Sequence, residues 1–359
     1  MDRGTALFAY VGSRTTRERN ARGEGISVFR VQAETGALEL VQLVGDLVNP
    51  SYLAFNRKRD RLYTVHGDGH EISVFEVDRQ HGRLSFLQRQ ACGGKNPVHL
   101  AVDPSDRYLV VSDHLGSQGG TLAVMGINKD GSLAPVHQRV ALAGKPGPHR
   151  VEQPFSKPHF NPFDPSGRFV VVPDKGLDKV FVFAFKDGEL HPTQTPWMQC
   201  REGAGPRHIA FHPQRSFAYV VNELDSTVVA CRFDMDAGSL HAMQVLPALP
   251  DDFTGHSRAA EIEVSRDGRH VYVSNRGADN IAAFDVDQKS GRLRWLGAFE
   301  TGGKTPRFFA ISPSGRRLYA LNEDSDTITM FALDGSELAH ALPHQATHCA
   351  SPVCMVFLE

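Results

Sequence analysis

Short apolar runs alternate with polar turns along the whole chain, and the same order of elements returns about every 45 residues. Each unit opens on a proline, runs through a few apolar residues, turns on an Asp-Pro-Ser-Gly-Arg type sequence and enters a second apolar run. The openings are Pro50, Pro97, Pro158, Pro206, Pro306 and Pro352, with Ala260 read as the opening of the unit that lacks a proline. Turns such as Asp103-Pro104-Ser105-Asp106-Arg107 and Asp164-Pro165-Ser166-Gly167-Arg168 preset reversing torsions. The second runs include Leu62-Tyr63-Thr64-Val65 and Tyr219-Val220-Val221-Asn222; third runs include Val180-Phe181-Val182-Phe183 and Ile281-Ala282-Ala283-Phe284. They are short, β-branched and aromatic, which is a strand signature. A Gly-x-Leu turn leads into a fourth strand at Gly36, Gly82, Gly131, Gly188, Gly238 and Gly291, and one residue longer at Gly335. No helical periodicity stands out.

Four strands in such a period make a propeller blade. The chain begins on a second strand, Leu7-Phe8-Ala9-Tyr10-Val11, and ends on a first, Ser351-Pro352-Val353-Cys354-Met355-Val356-Phe357. Together they supply one blade and remove two sheet edges that other chains could pair with. The expectation is an all-β, seven-bladed β-propeller of four-stranded antiparallel blades, one domain over residues 1–359, closed by its N- and C-terminal strands.

That topology sorts the polar residues. The start of strand one and the end of strand two share one end of an antiparallel blade, together with the connections between blades. Length variation gathers at that end, in 144–156, 247–258 and 13–23, as on a binding face. Around it fall His159, Arg207, Glu261 and Arg307 after the blade openings, and Asp174-Lys175, Asn222-Glu223, Asn275-Arg276 and Asn322-Glu323 after the second strands. The blades opening at Pro50 and Pro97 are less charged. Arg207 with Glu223, or Glu261 with Arg276, fit a structural ion pair as well as a site. So many charges on one face favour a ligand.

Composition changes the picture only by exclusion. A formal net charge of −2 leaves no footprint for nucleic acid or an anionic membrane, and no apolar run is long enough to span a bilayer. With no signal-peptide core near Met1, the expected compartment is the cytoplasm. Five scattered cysteines form no CxxC, and are read as small buried side chains with a few surface thiols. No GxSxG, HExxH or Walker sequence occurs, and no metal or cofactor is called for. The sequence leaves the oligomeric state open.

Gly205-Pro206-Arg207-His208-Ile209-Ala210-Phe211-His212-Pro213, Asn222-Glu223-Leu224, Ala260-Glu261-Ile262, Ser274-Asn275-Arg276-Gly277 and Thr301-Gly302-Gly303 before Pro306-Arg307 resemble the propeller-type lactonase family. That family includes 6-phosphogluconolactonases and the 3-carboxy-cis,cis-muconate lactonizing enzyme. The resemblance spans essentially the whole chain, and implies a catalytic set of His159, Arg207, Glu223 and Arg276. The blade opening at Pro158 departs from the pattern, with Val172-Pro173-Asp174-Lys175-Gly176 after its second strand.

Lactone hydrolysis needs a base to activate water and a stabiliser for the tetrahedral oxyanion. Glu223 or His159 could be the base; Arg207 and Arg276 could meet the oxyanion or clamp an anionic group. His208, Glu261, Arg307, His256 and Arg258 are candidates for substrate binding, biasing the site toward a small anionic lactone or carboxylate. The expected function is hydrolysis of an anionic sugar lactone such as 6-phosphogluconolactone. The alternatives are a lactone-forming cycloisomerase acting on a carboxymuconate-type acid, and a non-enzymatic propeller that binds a ligand or protein.

Overall fold

The computed structural model describes residues 6–116, 119–333 and 340–359. Seven antiparallel sheets stand round one axis as a seven-bladed β-propeller. Blade 1 is Pro50–Phe55, Arg61–His66, Glu71–Val77 and Leu84–Ala91, counted from the axis outward. Blade 2 runs from Lys95–Val102 to Leu133–Ala141, blade 4 from Pro206–Phe211 to Ser239–Pro247, blade 5 from Arg258–Val264 to Leu293–Glu300, and blade 6 from Pro306–Ile311 to His340–His348. Blade 7 sets Pro352–Leu358 innermost, beside Leu7–Ser13, Ile26–Val31 and Leu38–Val44. Its closing register pairs Phe8 with Leu358, Tyr10 with Val356 and Gly12 with Cys354. Only two 3-10 turns, Arg17–Arg19 and Glu323–Ser325, interrupt the β-structure among the described residues. Gly335, the last of the closing glycines, lies outside those residues.

Blade 3 differs. It has three regular strands, Phe169–Asp174, Lys179–Lys186 and Glu189–Gln199. Where its inner strand belongs, only the bridges Pro158↔Asp174 and Phe163↔Val170 form. Pro158 and Pro162 lack the N–H that a ladder needs. Asn161 turns instead to blade 2, donating from Nδ2 to the Val110 carbonyl at 2.9 Å and accepting the Ser112 hydroxyl at 2.7 Å.

Burial explains the strand pattern. Second strands are covered on both faces by neighbouring blades, so Leu62, Tyr63, Thr64 and Val65 are all fully buried in succession. Outermost strands meet solvent, and Leu133–Ala141 alternates between more and less buried positions. Two devices tie blade to blade. The hydroxyls of Tyr10, Tyr63, Tyr219 and Tyr319 donate to the carbonyls of Gly82, Gly131, Gly291 and Gly36 in the following blade. Gln42, Gln88, Gln138 and Gln244 each bond both backbone groups of a leucine on the next outer strand, Leu84, Leu133, Leu190 and Leu293. The closing glycines hold φ near +75°, a region that L side chains seldom adopt. A Cβ on Gly82 would stand 2.4 Å from the Phe8 ring. All five cysteines are unpaired and buried, so the expected surface thiols are not present. No helix among the described residues is long and apolar enough to cross a membrane.

Candidate active site

The mouth is built by register. Pro50, Pro158, Pro206 and Pro306 pair with the last residue of the adjacent strand, His66, Asp174, Asn222 and Asn322, and Pro97 pairs with Asp113 in a strand that runs on to Gly116. In blade 5 the partner of Asn275 is Ala259, and a bulge follows. Ala259, rather than Ala260, therefore takes the place of the proline. This one-residue shift moves Glu261 off the mouth, where the repeat count had put it, to the level of His208, Tyr52, His99, Phe160 and Phe308. That tier fills the axis: His208 stacks on Phe160 at 4.1 Å, Phe160 meets His99 at 4.0 Å, and His99 meets Tyr52 at 4.2 Å between centroids.

Above this plug lies a cavity of about 340 Å³. Blade 3 lines it with Lys157, His159 and Lys175, blade 4 with Glu223, blade 5 with Arg258 and Arg276, and blade 6 with Arg307. Blade 2 adds Asn96, Val98, His114 and Leu115. The three long segments converge here too: Arg14 and Arg19 come from 13–23, Glu152 and Phe155 from 144–156, and Arg258 ends 247–258. Seven basic side chains thus face two carboxylates. A larger cavity of about 640 Å³ opens at the opposite end, but there Arg57, Arg59 and Arg266 are balanced by Asp103, Asp106, Glu263 and Glu359. Its Asp103 is committed to the turn, accepting backbone N–H groups of Ser105, Arg107 and Tyr108.

Glu223 is the hub of the upper cavity. Its Oε1 lies 3.2 Å from Lys175 Nζ, 3.4 Å from Arg276 Nη2 and 3.9 Å from Arg258 Nη1; its Oε2 lies 3.3 Å from Arg207 Nε. Burial alone would raise its pKa, but Lys175, Arg276, Arg207 and Arg307 outweigh that and hold the carboxyl well below its usual range. Glu223 is a fixed anion. Glu152 bridges Lys175 at 3.0 Å and Arg258 at 2.7 Å.

The histidines are of the opposite kind. His159 is buried, with no hydrogen-bond partner on Nδ1 among the described residues, and its ring centroid is 5.1 Å from those of His114 and His208. Burial, then Arg207 and the two neighbouring imidazoles, keep its pKa well below 6.5, so it is neutral at neutral pH.

Beneath the cavity floor runs a buried chain. Arg207 Nη1 donates to the Ala260 carbonyl and to His208 Nε2 at 3.1 Å. Arginine is always a donor, which leaves His208 with its proton on Nδ1, and Nδ1 donates to Glu261 Oε1 at 2.9 Å. Burial pushes the Glu261 carboxyl up to about 8. Its Oε1 also accepts the Ile262 N–H at 3.0 Å, while Oε2 is buried without a partner among the described residues. Both members of the His208–Glu261 pair are neutral at pH 7. Unfolded, Glu261 ionises near 4.5; folded, it stays protonated to about 8. Its presence therefore costs stability progressively as pH rises from about 4.5 to about 8, and no further above that. Glu261→Gln keeps the acceptor for His208 and lacks the titration. Thermal melts from pH 5 to 9 should show its melting temperature gaining on the native protein's across that window and levelling above it; a constant difference refutes the assignment.

Of the residues expected from sequence, His159, Glu223, Arg258, Arg276 and Arg307 line the cavity. Arg207, His208 and Glu261 form the layer beneath it. His256 is exposed on the loop before blade 5 and does not line it. Arg14, Arg19, Glu152 and Lys157 line it without belonging to the residues expected from sequence. Arg14 had a readable signal: Ser13 pairs with Pro352 as Asn222 pairs with Pro206. Arg14 is thus blade 7's equivalent of Glu223, Lys175 and Arg276, hidden because its opening proline sits at the other end of the chain. His212 is buried beside Gly268. Among the described residues no group of three or more His, Cys, Asp or Glu side chains is placed to hold a metal ion.

Residues 8–357 match the family model described as lactonase, 7-bladed beta-propeller. The chain is 36% identical over 358 residues to a 6-phosphogluconolactonase of Bacillus subtilis (strain 168), covering 99% of each. Among solved structures it is similar to a putative 6-phosphogluconolactonase of Bacteroides fragilis (27% identity, TM-score 0.90, 100% and 99% of the two chains). It is also similar to a periplasmic gluconolactonase of Pseudomonas aeruginosa (29% identity, TM-score 0.90, 99% of each chain).

Proposed function

The chain belongs to the lactonase family of seven-bladed β-propellers, and from that premise we propose that it hydrolyses the ring ester of an anionic sugar lactone, with 6-phosphogluconolactone as substrate. The observation that carries this reading is the mouth cavity, where seven basic side chains outnumber two carboxylates around a neutral imidazole. Such a lining concentrates an anion and polarises a carbonyl. The name borne by the Bacillus subtilis relative supports the phosphorylated substrate.

His159 is the base that takes a proton from water as it attacks the lactone carbonyl, because a neutral imidazole has a lone pair to use. Glu223 is spoken for on both oxygens by cations and held ionised, which suits it to ordering Lys175, Arg207 and Arg276 rather than to accepting a proton. Arg276, with Nε unpartnered among the described residues and Nη2 anchored 3.0 Å from the Ala259 carbonyl, meets the developing oxyanion. Arg207 holds Glu223 from below. The ring oxygen leaves with the proton carried by His159, returning the imidazole to its neutral state.

Steady-state hydrolysis of 6-phosphogluconolactone and of unphosphorylated gluconolactone, beside a carboxymuconate cyclisation assay, tests the reading. The phosphorylated lactone should be preferred in kcat/KM. Because His159 is held neutral, kcat/KM should stay level from pH 7.5 to 6.5 and fall only in acid, as the imidazole titrates below 6.5. Cyclisation without lactone hydrolysis overturns the proposal in favour of the reverse type of chemistry, and an acid limb above pH 7 excludes His159 as the base.

A further inference from the structure

Most cations of the mouth are matched: Lys175 by Glu152 and Glu223, Arg258 by Glu152, and Arg276 by Glu223. Arg14 is not. Its side chain is only 6% exposed, and its Nε and Nη1 are buried without a hydrogen-bond partner among the described residues. The carboxylate beside it, Asp68, stands 3.8 Å away, beyond hydrogen-bond reach. That same Asp68 oxygen already accepts Arg19 Nε at 2.7 Å and Asn49 Nδ2 at 3.1 Å. Arg307 lines the same cavity, and its contact with Glu323 is a loose 3.9 Å. Burial, with Arg307 close by, brings Arg14 down to about 9, which still leaves it charged at neutral pH. A buried guanidinium with open donors is costly unless an anion or water meets it.

We infer that Arg14 and Arg307 form the subsite for a phosphate monoester on the substrate, separate from the Arg276 and His159 groups that address the lactone carbonyl. The inference rests on the reading of the protein as a lactonase of an anionic sugar lactone. A phosphate presents three peripheral oxygens, enough for two guanidinium forks, whereas a carboxylate has two and is satisfied by one. The subsite belongs to blades 6 and 7. The phosphate of a bound substrate would therefore point toward the closure of the ring, away from the Glu152–Lys175–Arg258 cluster.

Arg14→Met keeps the length of the side chain and removes the charge, so it tests the subsite in two ways. In kinetics, the ratio of kcat/KM for 6-phosphogluconolactone over gluconolactone should fall by about 10²-fold, mostly through KM. In binding, inorganic phosphate should raise the melting temperature of the native protein and leave Arg14→Met unmoved. The variant alone should melt no lower than the native protein, since it loses a buried guanidinium whose Nε and Nη1 make no hydrogen bond among the described residues. An unchanged ratio, or phosphate stabilisation that survives the substitution, overturns the inference. Stabilisation by gluconate but not by phosphate also overturns it, as that is carboxylate recognition. If the native protein hydrolyses neither lactone, the lactonase reading fails, and the phosphate melt alone decides on Arg14. Should Arg14→Met fail to fold, Arg307→Met carries both measurements at a more exposed position.

Discussion

Removing the strand Pro352–Leu358 should leave the protein unable to fold to a soluble monomer. That strand is the inner strand of blade 7, and it buries Val353, Cys354, Met355, Phe357 and Leu358, each 8% exposed or less. At about 1.5–3 kcal/mol for each large apolar side chain, the loss is on the order of the whole margin by which domains are stable. Leu7–Ser13 would become an open edge beside the axis, with six of its residues losing their partners on the inner side. Blades 6 and 1 would each lose a packing surface, because Pro352–Leu358 contacts both Pro306–Ile311 and Pro50–Phe55. Soluble yield, size-exclusion profile and a thermal melt of the truncated chain are the measurements. A monomer with a single cooperative melt would show that the ring does not depend on this closure.

The closure could be read from the chain because second strands carry a strong signal. They are apolar on both faces and bounded by turns, so Leu7-Phe8-Ala9-Tyr10-Val11 announces a second strand, and its first strand is Pro352–Leu358. Inner strands carry a weaker one, ambiguous where the opening proline is missing or too plentiful. In blade 5 no proline fixes the count, a bulge lies between Ala259 and Ile262, and Glu261 sits one tier below the place the repeat gives it. In blade 3 the prolines remove backbone donors, and a strand pattern became two isolated bridges. The charged ring followed from topology alone, since strand direction decides which end a residue occupies. The state of each charge did not. That Glu223 is met by Lys175, Arg207, Arg258 and Arg276 depends on side chains from three blades converging within 4 Å. No spacing in the sequence encodes that.

Variants at His159 and Glu223, the two candidates for the base, tell them apart by experiment. Substituting His159 by Gln breaks no hydrogen bond on Nδ1, so the fold should keep its melting temperature while turnover falls by roughly 10²–10⁴-fold, the range for losing a positioned general base. Substituting Glu223 by Gln removes the anion from among Lys175, Arg207 and Arg276. Breaking a buried pair in this way costs about 3–5 kcal/mol, because the partners stay behind uncompensated. The melting temperature of Glu223→Gln should therefore drop markedly, and kcat and KM should both suffer as the arginines lose their anchor. Sign follows from the same cause. The folded Glu223 carboxyl is held well below its usual range, so it contributes stability above about pH 4.5 that is lost only as pH falls through its depressed pKa. The acid limb of the kcat/KM profile should thus survive in Glu223→Gln and vanish in His159→Gln. Were Glu223 the base, the pattern would invert: Glu223→Gln would melt like the native protein and lose the acid limb, and His159→Gln would keep it.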